Sequence, residues 1–518
     1  MVRRTVDTQV LIVGAGPTGL TLAGELRRWG VDCTLIDSLD APLSWDRATI
    51  VHPRTMELFA TLGLSDELLE VGVHQRFIYI YSDGVRLGEM DLAESGSPFG
   101  FNLNVSEEVT ERVLAGHLRA QGGSVEFGRR LVGLRQLPDR VIATIEHGES
   151  RYELSAEWIV GCGGLHSPVR ELSGIPFEGR DIPEPWAVLD ATLAGWPHGH
   201  DANFAFLDRD SVILTPLPGD RWRAYIRPTS VDSDLVADAT RVIERYAPGV
   251  SLIDVANPTR FHCHTKVAAR YREGRALLAG DAAHVCSPSQ GHGMNTGIQD
   301  SFNLAWKLAM VCRGEADARL LDSYETERRP VALMVTASGD DFETMQTLIA
   351  DEDRADRDVA ITATFADPDA RHLEILGETE LNISYENSVI VTGASAGLGA
   401  GQRLPAEVGL AHTTGTSTGH TLLLIGGSVD QVSEVRGAIK RTYPDAFDSV
   451  IALGPDHDAP MTDLLRADVV DPIGLEDVAI LAVRPDGYIG HRSDGSDLGQ
   501  VGEYLELIRS GGPRPPHQ

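Results

Sequence analysis

The stretch "TQVLIVGAGPTGLTLAGELRRWGVDCTLID", from Thr8 to Asp37, has the pattern of a complete β-α-β unit. An apolar run is followed by Gly14, Gly16 and Gly19 in G-x-G-x-x-G spacing, then by a helical apolar pattern and a second apolar run. Such glycines permit a tight turn and let the backbone approach a pyrophosphate at the helix N-terminus. The closing Asp37 can accept hydrogen bonds from both hydroxyls of an adenosine ribose. The sequence therefore predicts a dinucleotide site, but this unit alone does not separate FAD from NAD.

A second glycine-rich stretch, "VTGASAGLGAG" at 391–401, has the T-G-x-x-x-G-x-G spacing that short-chain dehydrogenases use for a nicotinamide cofactor. That fold needs a long helix directly after the glycines, and Pro405 would interrupt it. It also needs a Tyr-x-x-x-Lys pair, whereas the residue four positions before Lys440, the last lysine, is Arg436. We interpret 391–401 as a turn and expect one nucleotide fold.

Length, charge and cysteine content limit the class of protein. A chain of 518 residues is long enough for about three domains. A formal net charge of −31 disfavours nucleic acid and anionic membranes as partners. The 5 cysteines have no C-x-x-C spacing, which indicates reduced thiols and no metal site. No apolar run reaches the length of a membrane span, so we expect a cytoplasmic protein that binds neither nucleic acid nor membrane.

A second candidate cofactor segment lies far downstream, in "GRALLAGDAAHVCSPSQGHGMNTGIQDSFNLAWKLA" at 274–309. A short apolar strand ends at Gly280 and Asp281, and ligands of open α/β sheets bind where strands end. Gly291 and Gly293 then precede a helical apolar pattern, so free backbone N–H groups could face an anion there. A reduced flavin carries negative charge at its pyrimidine edge, which this helix start could stabilise.

The chain resembles the single-component FAD-dependent aromatic hydroxylases, the class A flavoprotein monooxygenases that include phenol hydroxylase, para-hydroxybenzoate hydroxylase and polyketide hydroxylases. The resemblance rests on "VGAGPTG", "RATIVHPRTMELF", "GDAAHVCSPSQGHGMNTGIQDSFNLAWKL" and "LLDSYETERRPVA", and it covers about residues 8–335. It implies an α/β fold, with a Rossmann-like FAD-binding domain of the para-hydroxybenzoate hydroxylase type and an inserted antiparallel-sheet substrate domain. It also implies FAD as the cofactor and NAD(P)H as a transient reductant.

The resemblance further implies cofactor roles for residues of both segments. Asp281 would hold the FAD ribitol, Arg47 would contact the cofactor, and Pro288 with 291–295 would line the isoalloxazine. His292 is unusual beside a flavin: it could contact cofactor or substrate, or it could be an outward-facing loop histidine. The complete set predicted to bind cofactor is Gly14, Gly16, Pro17, Thr18, Gly19, Asp37, Arg47, Glu107, Gly280, Asp281, Pro288, Gly291, His292, Gly293, Met294 and Asn295.

Several positions depart from the family pattern. The family's middle motif C-D-G-A-R-S is "CGGLHS" here, with Gly163 and His166 in place of Asp and Arg, which leaves cofactor preference and reduction efficiency open. Thr49 stands where phenol hydroxylase-like members have an Asp that acts on the phenol hydroxyl. Glu107 stands where Gln is common. An inward carboxylate would disfavour an anionic reduced flavin, although Glu108 could be the inward residue instead.

Period-two alternation in the middle of the chain predicts an antiparallel sheet. "NFAFLDRDSVILTPLPGDRWRAYIRP" at 203–228 has the pattern of a meander, and "RFIYIYSDGVRLGEMDL" at 76–92 that of a hairpin. A sheet inserted between nucleotide-binding segments suits a substrate domain, with an apolar pocket between sheet and flavin for a flat aromatic ring. The candidate catalytic residues are Pro288, His52, Tyr225 and Arg227.

The patterns and the resemblance together predict the domain organisation. In the tail, "HTLLLIGG" and "LAVRPDGYIGHR" contain strand-like apolar runs and resemble the thioredoxin-like C-terminal domain of the same family. No cysteine follows Cys312, so we expect a structural or oligomerisation role there, and a homodimer is left open. The predicted segments are an FAD-binding domain in three parts (1–73, 105–180 and 269–338), a substrate-domain hairpin (74–104), a substrate-binding sheet domain (181–268), a helical linker (339–382) and a thioredoxin-like domain without redox cysteines (383–518).

The resemblance implies that reduced FAD reacts with O2 to give a C4a-hydroperoxide, whose terminal oxygen passes to an aromatic carbon ortho or para to a hydroxyl. The predicted function is therefore NAD(P)H- and O2-dependent hydroxylation of a phenolic or other aromatic substrate, with a polyketide among the candidates. Two alternatives stay open: Baeyer–Villiger oxygenation of a polyketide on the same scaffold, and a non-catalytic flavin-binding sensor. The W-x-W-x-I-P motif of flavin halogenases is absent. The sequence does not distinguish NADH from NADPH and does not give the size of the substrate.

Overall fold

Two large sheets and a smaller tail sheet organise the protein. A computed structural model describes residues 6–42, 48–183, 185–230, 232–348, 350–393, 397–406, 419–453, 477–495 and 497–512. Within these residues an eight-stranded sheet carries the N-terminal glycine loop, a seven-stranded sheet carries the predicted meander and hairpin, and a five-stranded sheet lies in the tail. The predicted α/β class is confirmed.

The eight-stranded sheet is the nucleotide-binding sheet. Its strand Thr8–Val13 is almost wholly buried, as expected of a parallel strand covered by helices on both faces. Its main path has the spatial order Arg272–Glu273, Ala276–Leu278, Ser150–Gly161, Thr8–Val13, Cys33–Ile36 and Val125–Glu126. All neighbours on this path pair in parallel except the first two. Two further strands lie off this path: Val141–His147 pairs antiparallel with the first half of Ser150–Gly161, and Arg130–Gln136 pairs antiparallel with Val141–His147.

The strand order brings the two predicted cofactor segments together. Thr8–Val13 and Ala276–Leu278 both pair in parallel with the end of Ser150–Gly161, one on each side of it. The carboxyl ends of these strands therefore lie at the same edge of the sheet. Gly14 follows one strand and the pair 280–281 follows the other closely, so segments far apart in the chain meet at one place.

Helices cover the nucleotide-binding sheet and link it to the tail. Pro17–Arg28 begins with a proline at its first position, where a missing N–H costs nothing, and packs against both Glu107–Ala120 and His292–Cys312. None of the described helices combines the length and apolar character needed to cross a membrane. The α-helices of the described ranges are Pro17–Arg28, Pro53–Thr61, Ser65–Leu69, Glu107–Ala120, Pro168–Leu172, Leu235–Tyr246, His292–Cys312, Asp322–Thr347, Asp351–Ala366, Pro368–Glu378, Val429–Thr442 and Leu498–Ser510.

The seven-stranded sheet confirms the predicted meander and hairpin. Its meander strands pair antiparallel in sequence, and the hairpin turns at Asp83 and Gly84. The hairpin joins the meander through a parallel pairing of Phe77–Ser82 with Ala202–Phe206. The spatial order is Ser251–Phe261, Trp186–Ala194, Arg221–Ile226, Val212–Leu217, Ala202–Phe206, Phe77–Ser82 and Val85–Asp91.

Three smaller sheets complete the described structure. Two have three strands each: Phe177–Asp181, His264–Ala268 and His284–Val285 in one, and Ile50–Val51, Asn102–Asn104 and Val73–Gln75 in the other. The tail sheet has the order Thr392–Gly393, Ile489–Asp494, Val478–Val483, Thr421–Gly426 and Ser449–Leu453. It includes the strands expected in "HTLLLIGG" and "LAVRPDGYIGHR". The thioredoxin-like assignment and the domain boundaries stay predictions.

The glycine-rich stretch at 391–401 belongs to this tail sheet. Thr392–Gly393 is a short strand that pairs in parallel with His491 and Arg492, and residues 394–396 lie outside the described residues. Residues 397–405 form turns and a single bridge rather than a helix. This arrangement agrees with a turn and differs from the glycine-loop-to-helix geometry of a nucleotide fold.

A buried ionic network fastens the tail to the nucleotide-binding region. Glu327, in Asp322–Thr347, accepts two hydrogen bonds of 2.8 Å from the Arg484 guanidinium and one of 2.7 Å from Lys307 Nζ. All three side chains are fully buried. Burial alone would raise the pKa of Glu327, but Arg484 and Lys307 outweigh it and lower that pKa. Burial also lowers the pKa of Lys307 to about 8 against the influence of Glu327. Arg484 of the tail therefore neutralises Glu327, which also binds Lys307 of helix His292–Cys312.

We expect Arg484→Met to destabilise the whole protein, because it would leave Glu327 buried beside a single cation. Loss of one partner of a buried pair costs about 3–5 kcal/mol of unfolding free energy. Urea unfolding followed by circular dichroism measures this loss. Arg441→Met, at an exposed arginine of helix Val429–Thr442, is the matched control. Equal unfolding midpoints for the two variants would contradict the role assigned to the network.

Candidate active site

A cleft of about 620 Å³ lies at the sheet edge where the two glycine segments meet. It extends from the N-terminal glycine loop to Tyr225 of the seven-stranded sheet. Asp37, Cys286 and His166 also line it. The residues predicted to bind cofactor that line this cleft are Gly14, Gly16, Pro17, Thr18, Asp37, Glu107, Asp281, Pro288, Gly291, Gly293 and Met294.

The three glycines of the first loop are needed for different reasons. A Cβ at Gly14 (φ 110°) would overlap the backbone of Cys162, and one at Gly19 would overlap the carbonyl oxygen of Gly14. These two glycines allow close backbone packing. A Cβ at Gly16 would point into open space, with Glu111 Oε1 the nearest atom at 3.9 Å. The backbone at Gly16 is therefore bare on its cleft side, which fits the approach of a pyrophosphate.

Asp37 is fixed at the end of the second strand by backbone donors. Its Oδ2 accepts a hydrogen bond of 2.8 Å from the Ala15 N–H, and its Oδ1 accepts one of 2.8 Å from the Leu39 N–H. Each carboxylate oxygen has a further lone pair for a ligand hydroxyl. The geometry fits the predicted ribose contact.

A buried aspartate that the sequence analysis did not single out holds the second loop in place. Asp300 Oδ2 accepts hydrogen bonds from the Gly280 N–H (3.0 Å) and from His284 Nε2 (2.8 Å), while Oδ1 accepts one from Arg328 Nε (2.7 Å). Burial alone would raise the pKa of Asp300, but His284 and Arg328 outweigh it and lower that pKa. Asp300 therefore positions Gly280 and the neighbouring Asp281. The sequence did contain a sign of this role: Asp300 is an acidic residue within the helical apolar pattern that follows Gly293.

The loop at 288–294 presents a helix N-terminus to the cleft. Gly291 has φ 74° and precedes helix His292–Cys312, and a side chain there would press on Ile50 at 3.1 Å. Pro288, Gly291, Gly293 and Met294 line the cleft. Because the first N–H groups of a helix lack partners within it, this end of the cleft suits an anionic ring edge.

His52 and His292 lie behind the cleft, in a buried polar cluster with Glu380. His52 Nδ1 lies 2.9 Å from Asn102 Oδ1 and its Nε2 lies 3.1 Å from the Gln290 carbonyl oxygen, while His292 Nδ1 lies 2.9 Å from Glu380. His292 is 6% exposed, so the alternative of an outward-facing loop histidine is wrong. The side-chain atoms of His52, His292 and Glu380 that could bind a metal ion lie within 4.8 Å of one another. The contacts of these residues given above are hydrogen bonds to other groups of the protein.

The remaining predicted residues divide between the cleft wall and the interior. Gly163, His166 and Thr49, which depart from the family pattern, line the cleft. Both Glu107 and Glu108 line it, and Glu107 Oε2 accepts a hydrogen bond of 3.0 Å from the Ala48 N–H. The predicted residues that do not line the cleft are Gly19, Gly280, His52, His292, Asn295 and Arg227, and Arg47 lies outside the described residues.

A parallel sheet with a glycine loop at one strand end and a second, distant loop closing on the same cleft defines a dinucleotide-binding fold with an inserted sheet. Residues 7–338 match the family model described as "FAD binding domain". The chain belongs to this family, and FAD is the dinucleotide that its cleft takes.

Relatives with described activities share this region. The chain is 36% identical over 341 residues to "Pentachlorophenol 4-monooxygenase" of Sphingobium chlorophenolicum, a match that covers 64% of the chain and 63% of that relative, which is less than two thirds of its length. It is 32% identical to "12-dehydrotetracycline 5-monooxygenase/anhydrotetracycline 6-monooxygenase" of Streptomyces rimosus subsp. rimosus, over 93% of the chain and 94% of that relative. The solved structure of OxyS anhydrotetracycline hydroxylase from Streptomyces rimosus superposes with a TM-score of 0.74 at 28% identity, covering 98% and 100% of the two chains.

Gly16→Val tests the phosphate cradle without disturbing the fold. The residue has an ordinary φ of −71° and open space at its Cβ, so we expect normal unfolding behaviour of the apoprotein but FAD binding weaker by at least about tenfold. Fluorescence titration of the apoprotein with FAD measures this change. Gly116→Ala, at a helix position with space for a methyl group, is the control. FAD affinity like that of the wild type in Gly16→Val would rule out the assigned role.

The His292–Glu380 pair predicts a pH-dependent stability. Burial alone would lower the pKa of His292, but the hydrogen bond to Glu380 outweighs it and raises the pKa above the ordinary value of about 6.5. The pKa of Glu380 is lowered: burial alone would raise it, but His292 outweighs burial. The stabilisation by His292 is therefore complete below its unfolded pKa and is lost as pH rises through its folded pKa. That by Glu380 is lost as pH falls through its own lowered pKa.

We expect His292→Gln to reduce the loss of stability that the wild type shows as pH rises above about 6.5. Thermal unfolding at a series of pH values gives the comparison. His372→Gln, at an exposed histidine of helix Pro368–Glu378, should keep the slope of the wild type. The interpretation fails if the slopes of all three proteins coincide.

Proposed function

We propose that this protein is an FAD-dependent monooxygenase that uses NAD(P)H and O2 to hydroxylate a phenolic or other aromatic substrate. One observation carries the proposal: a single cleft joins the glycine-loop cradle for a dinucleotide to Tyr225 on the inserted sheet. A ring substrate on that sheet would therefore lie next to the flavin end of the cofactor. Relatives named as monooxygenases of pentachlorophenol and of 12-dehydrotetracycline and anhydrotetracycline support this class of reaction.

The residues present fit FAD along the whole cleft. The bare backbone at Gly16 suits the pyrophosphate, Asp37 the ribose, Asp281 the ribitol and the start of helix His292–Cys312 the anionic edge of the ring. Bound FAD supplies the redox chemistry: once reduced, it activates O2 and delivers one oxygen atom. Within the described residues one sheet carries a glycine-loop nucleotide fold, so we infer that NAD(P)H binds only transiently.

The protein's own part in the reaction is to orient the ring and exclude water. Val285, Cys286, Pro288 and Tyr225 make the flavin end of the cleft mainly apolar, and a water-poor site prevents loss of the activated oxygen to side reactions. The cleft also contains the Thr49 hydroxyl, which is buried and has no hydrogen-bond partner within the described part of the chain. We propose that this hydroxyl contacts the substrate oxygen where other members use an acid.

Two further proposals concern the protein as a whole. The thiols of Cys33, Cys162, Cys263 and Cys312 are buried and free, which supports a cytoplasmic location with reduced cysteines. A homodimer, which the sequence analysis left open, is tested by light scattering after gel filtration.

The decisive experiment supplies heavy-isotope O2 and NADH or NADPH to the FAD-loaded protein with a panel of phenols and polycyclic phenols. We expect one labelled oxygen on a ring carbon, detected by mass spectrometry. Insertion of that oxygen beside a ketone would show Baeyer–Villiger chemistry instead. NAD(P)H oxidation without any labelled product across the panel would contradict the proposal. Gly16→Val serves as the control with impaired FAD binding.

A further inference from the structure

Two arginines on the sheet face that carries Tyr225 are held in buried ion pairs. Arg223 and Arg227 alternate with Tyr225 and therefore lie on the same face of the sheet. Arg223 binds Asp190 with two hydrogen bonds of 2.8 and 3.0 Å. Arg227 forms an ion pair with Glu343, with side chains 9% and 6% exposed. Arg227, a candidate catalytic residue in the sequence analysis, is thus already neutralised.

Glu343 is held in this position from several sides. Its Oε2 accepts a hydrogen bond of 2.9 Å from the Trp186 indole N–H and lies 3.4 Å from the Ser287 hydroxyl. The Arg227 guanidinium lies 4.0 Å from the centre of the Trp186 ring. Ser287 lies between Cys286 and Pro288, which both line the cleft, so the ion pair lies behind the wall at the flavin end of the cleft.

Uncharged polar groups without partners lie near this pair. Gln346 follows Glu343 by one helical turn and is 1% exposed, and both its amide oxygen and its amide nitrogen lack hydrogen-bond partners among the described residues. The Ser211 hydroxyl is buried and has no partner in the described ranges either, and the Ser211 carbonyl accepts a hydrogen bond of 3.0 Å from the Arg227 N–H. Buried polar atoms without partners are costly, and oxygen substituents of a bound molecule would satisfy them.

We propose that the flavin end of the cleft, where Tyr225 lies in front of the Arg227–Glu343 pair, selects uncharged, oxygen-bearing aromatic rings, with Glu343 excluding carboxylated rings and Gln346 hydrogen-bonding a substrate oxygen. This inference rests on the proposed function and adds the substrate class to it. A carboxylate entering here would meet Arg227 already paired and Glu343 of its own sign, so it would stay buried and uncompensated. A neutral hydroxyl or carbonyl group carries no such penalty.

Two pairs of rings, in each of which a methyl group is replaced by a carboxylate, test the proposal: meta-cresol with meta-hydroxybenzoate, and chrysophanol with its carboxylate analogue rhein. Isothermal titration of the FAD-loaded protein gives each affinity without need of turnover. We expect the neutral member of at least one pair to bind at least about tenfold more tightly than its carboxylated partner. Equal affinities, tighter binding of the acids, or no binding of any of the four rings would overturn the proposal.

Variants assign the selectivity to residues. Glu343→Gln leaves Arg227 uncompensated, so the preference for neutral rings should fall by about tenfold or reverse. Asp341→Asn, which removes an exposed carboxylate of the same helix, should leave the preference unchanged. If Glu343→Gln does not fold, the double variant Arg227→Met/Glu343→Leu removes both charges and should keep the neutral preference. Gln346→Leu should weaken neutral rings several-fold. An unchanged preference in Glu343→Gln overturns the role of that residue.

The proposal and the enzyme activity fail separately. Neutral rings that bind with the expected preference but are never oxygenated would leave the selectivity standing and remove the proposed function. If carboxylated rings bind and are oxygenated as readily as neutral ones, the proposed function stands and the proposed selectivity does not.

Discussion

Asp300 keeps a negative charge in the interior because Arg328 and His284 supply hydrogen bonds to its two oxygens. The same carboxylate receives the Gly280 N–H, so the loop that carries Asp281 takes its position from a charge inside helix His292–Cys312. Loss of that charge would leave Arg328 uncompensated and the loop without its anchor. The cofactor cleft therefore depends on an interaction behind it, out of contact with the predicted cofactor.

The same helix transmits this dependence to the rest of the chain. Its first turn faces the cleft, its middle holds Asp300, and its later residues Asn303, Trp306 and Lys307 meet Glu327, Arg484 and Asp486. Asp300 and Glu327 are matched by cations from other segments, and Asp486 is matched by Arg484 of its own segment. Buried ion pairs add little net stability when whole and cost much when broken, so this arrangement favours specificity of docking over strength. The tail therefore helps to hold helix His292–Cys312, whose first turn faces the cofactor cleft.

Local patterns explain what could be predicted from the sequence. The β-α-β unit at the N-terminus, the meander and the hairpin depend on residues close together in the chain, and periodicity reveals such elements. The partners of predicted residues could not be found in this way. His292 meets Glu380 across 88 positions, and Arg227 meets Glu343 on a distant helix. Nothing in the local sequence around an arginine or histidine shows whether a distant carboxylate will neutralise it.

The two glycine-rich stretches show why spacing alone is a weak guide. In the first loop Gly16 leaves open space beside a cleft, whereas Gly393 in the tail has φ 103° and a Cβ there would overlap the Arg492 carbonyl oxygen. A Cβ at Gly401, which has φ 90°, would likewise overlap the backbone of Glu386. These tail glycines are required because backbones approach each other closely, and no cleft lies beside them among those described. A glycine indicates a ligand only where the space next to it is empty, and that space is a property of the fold.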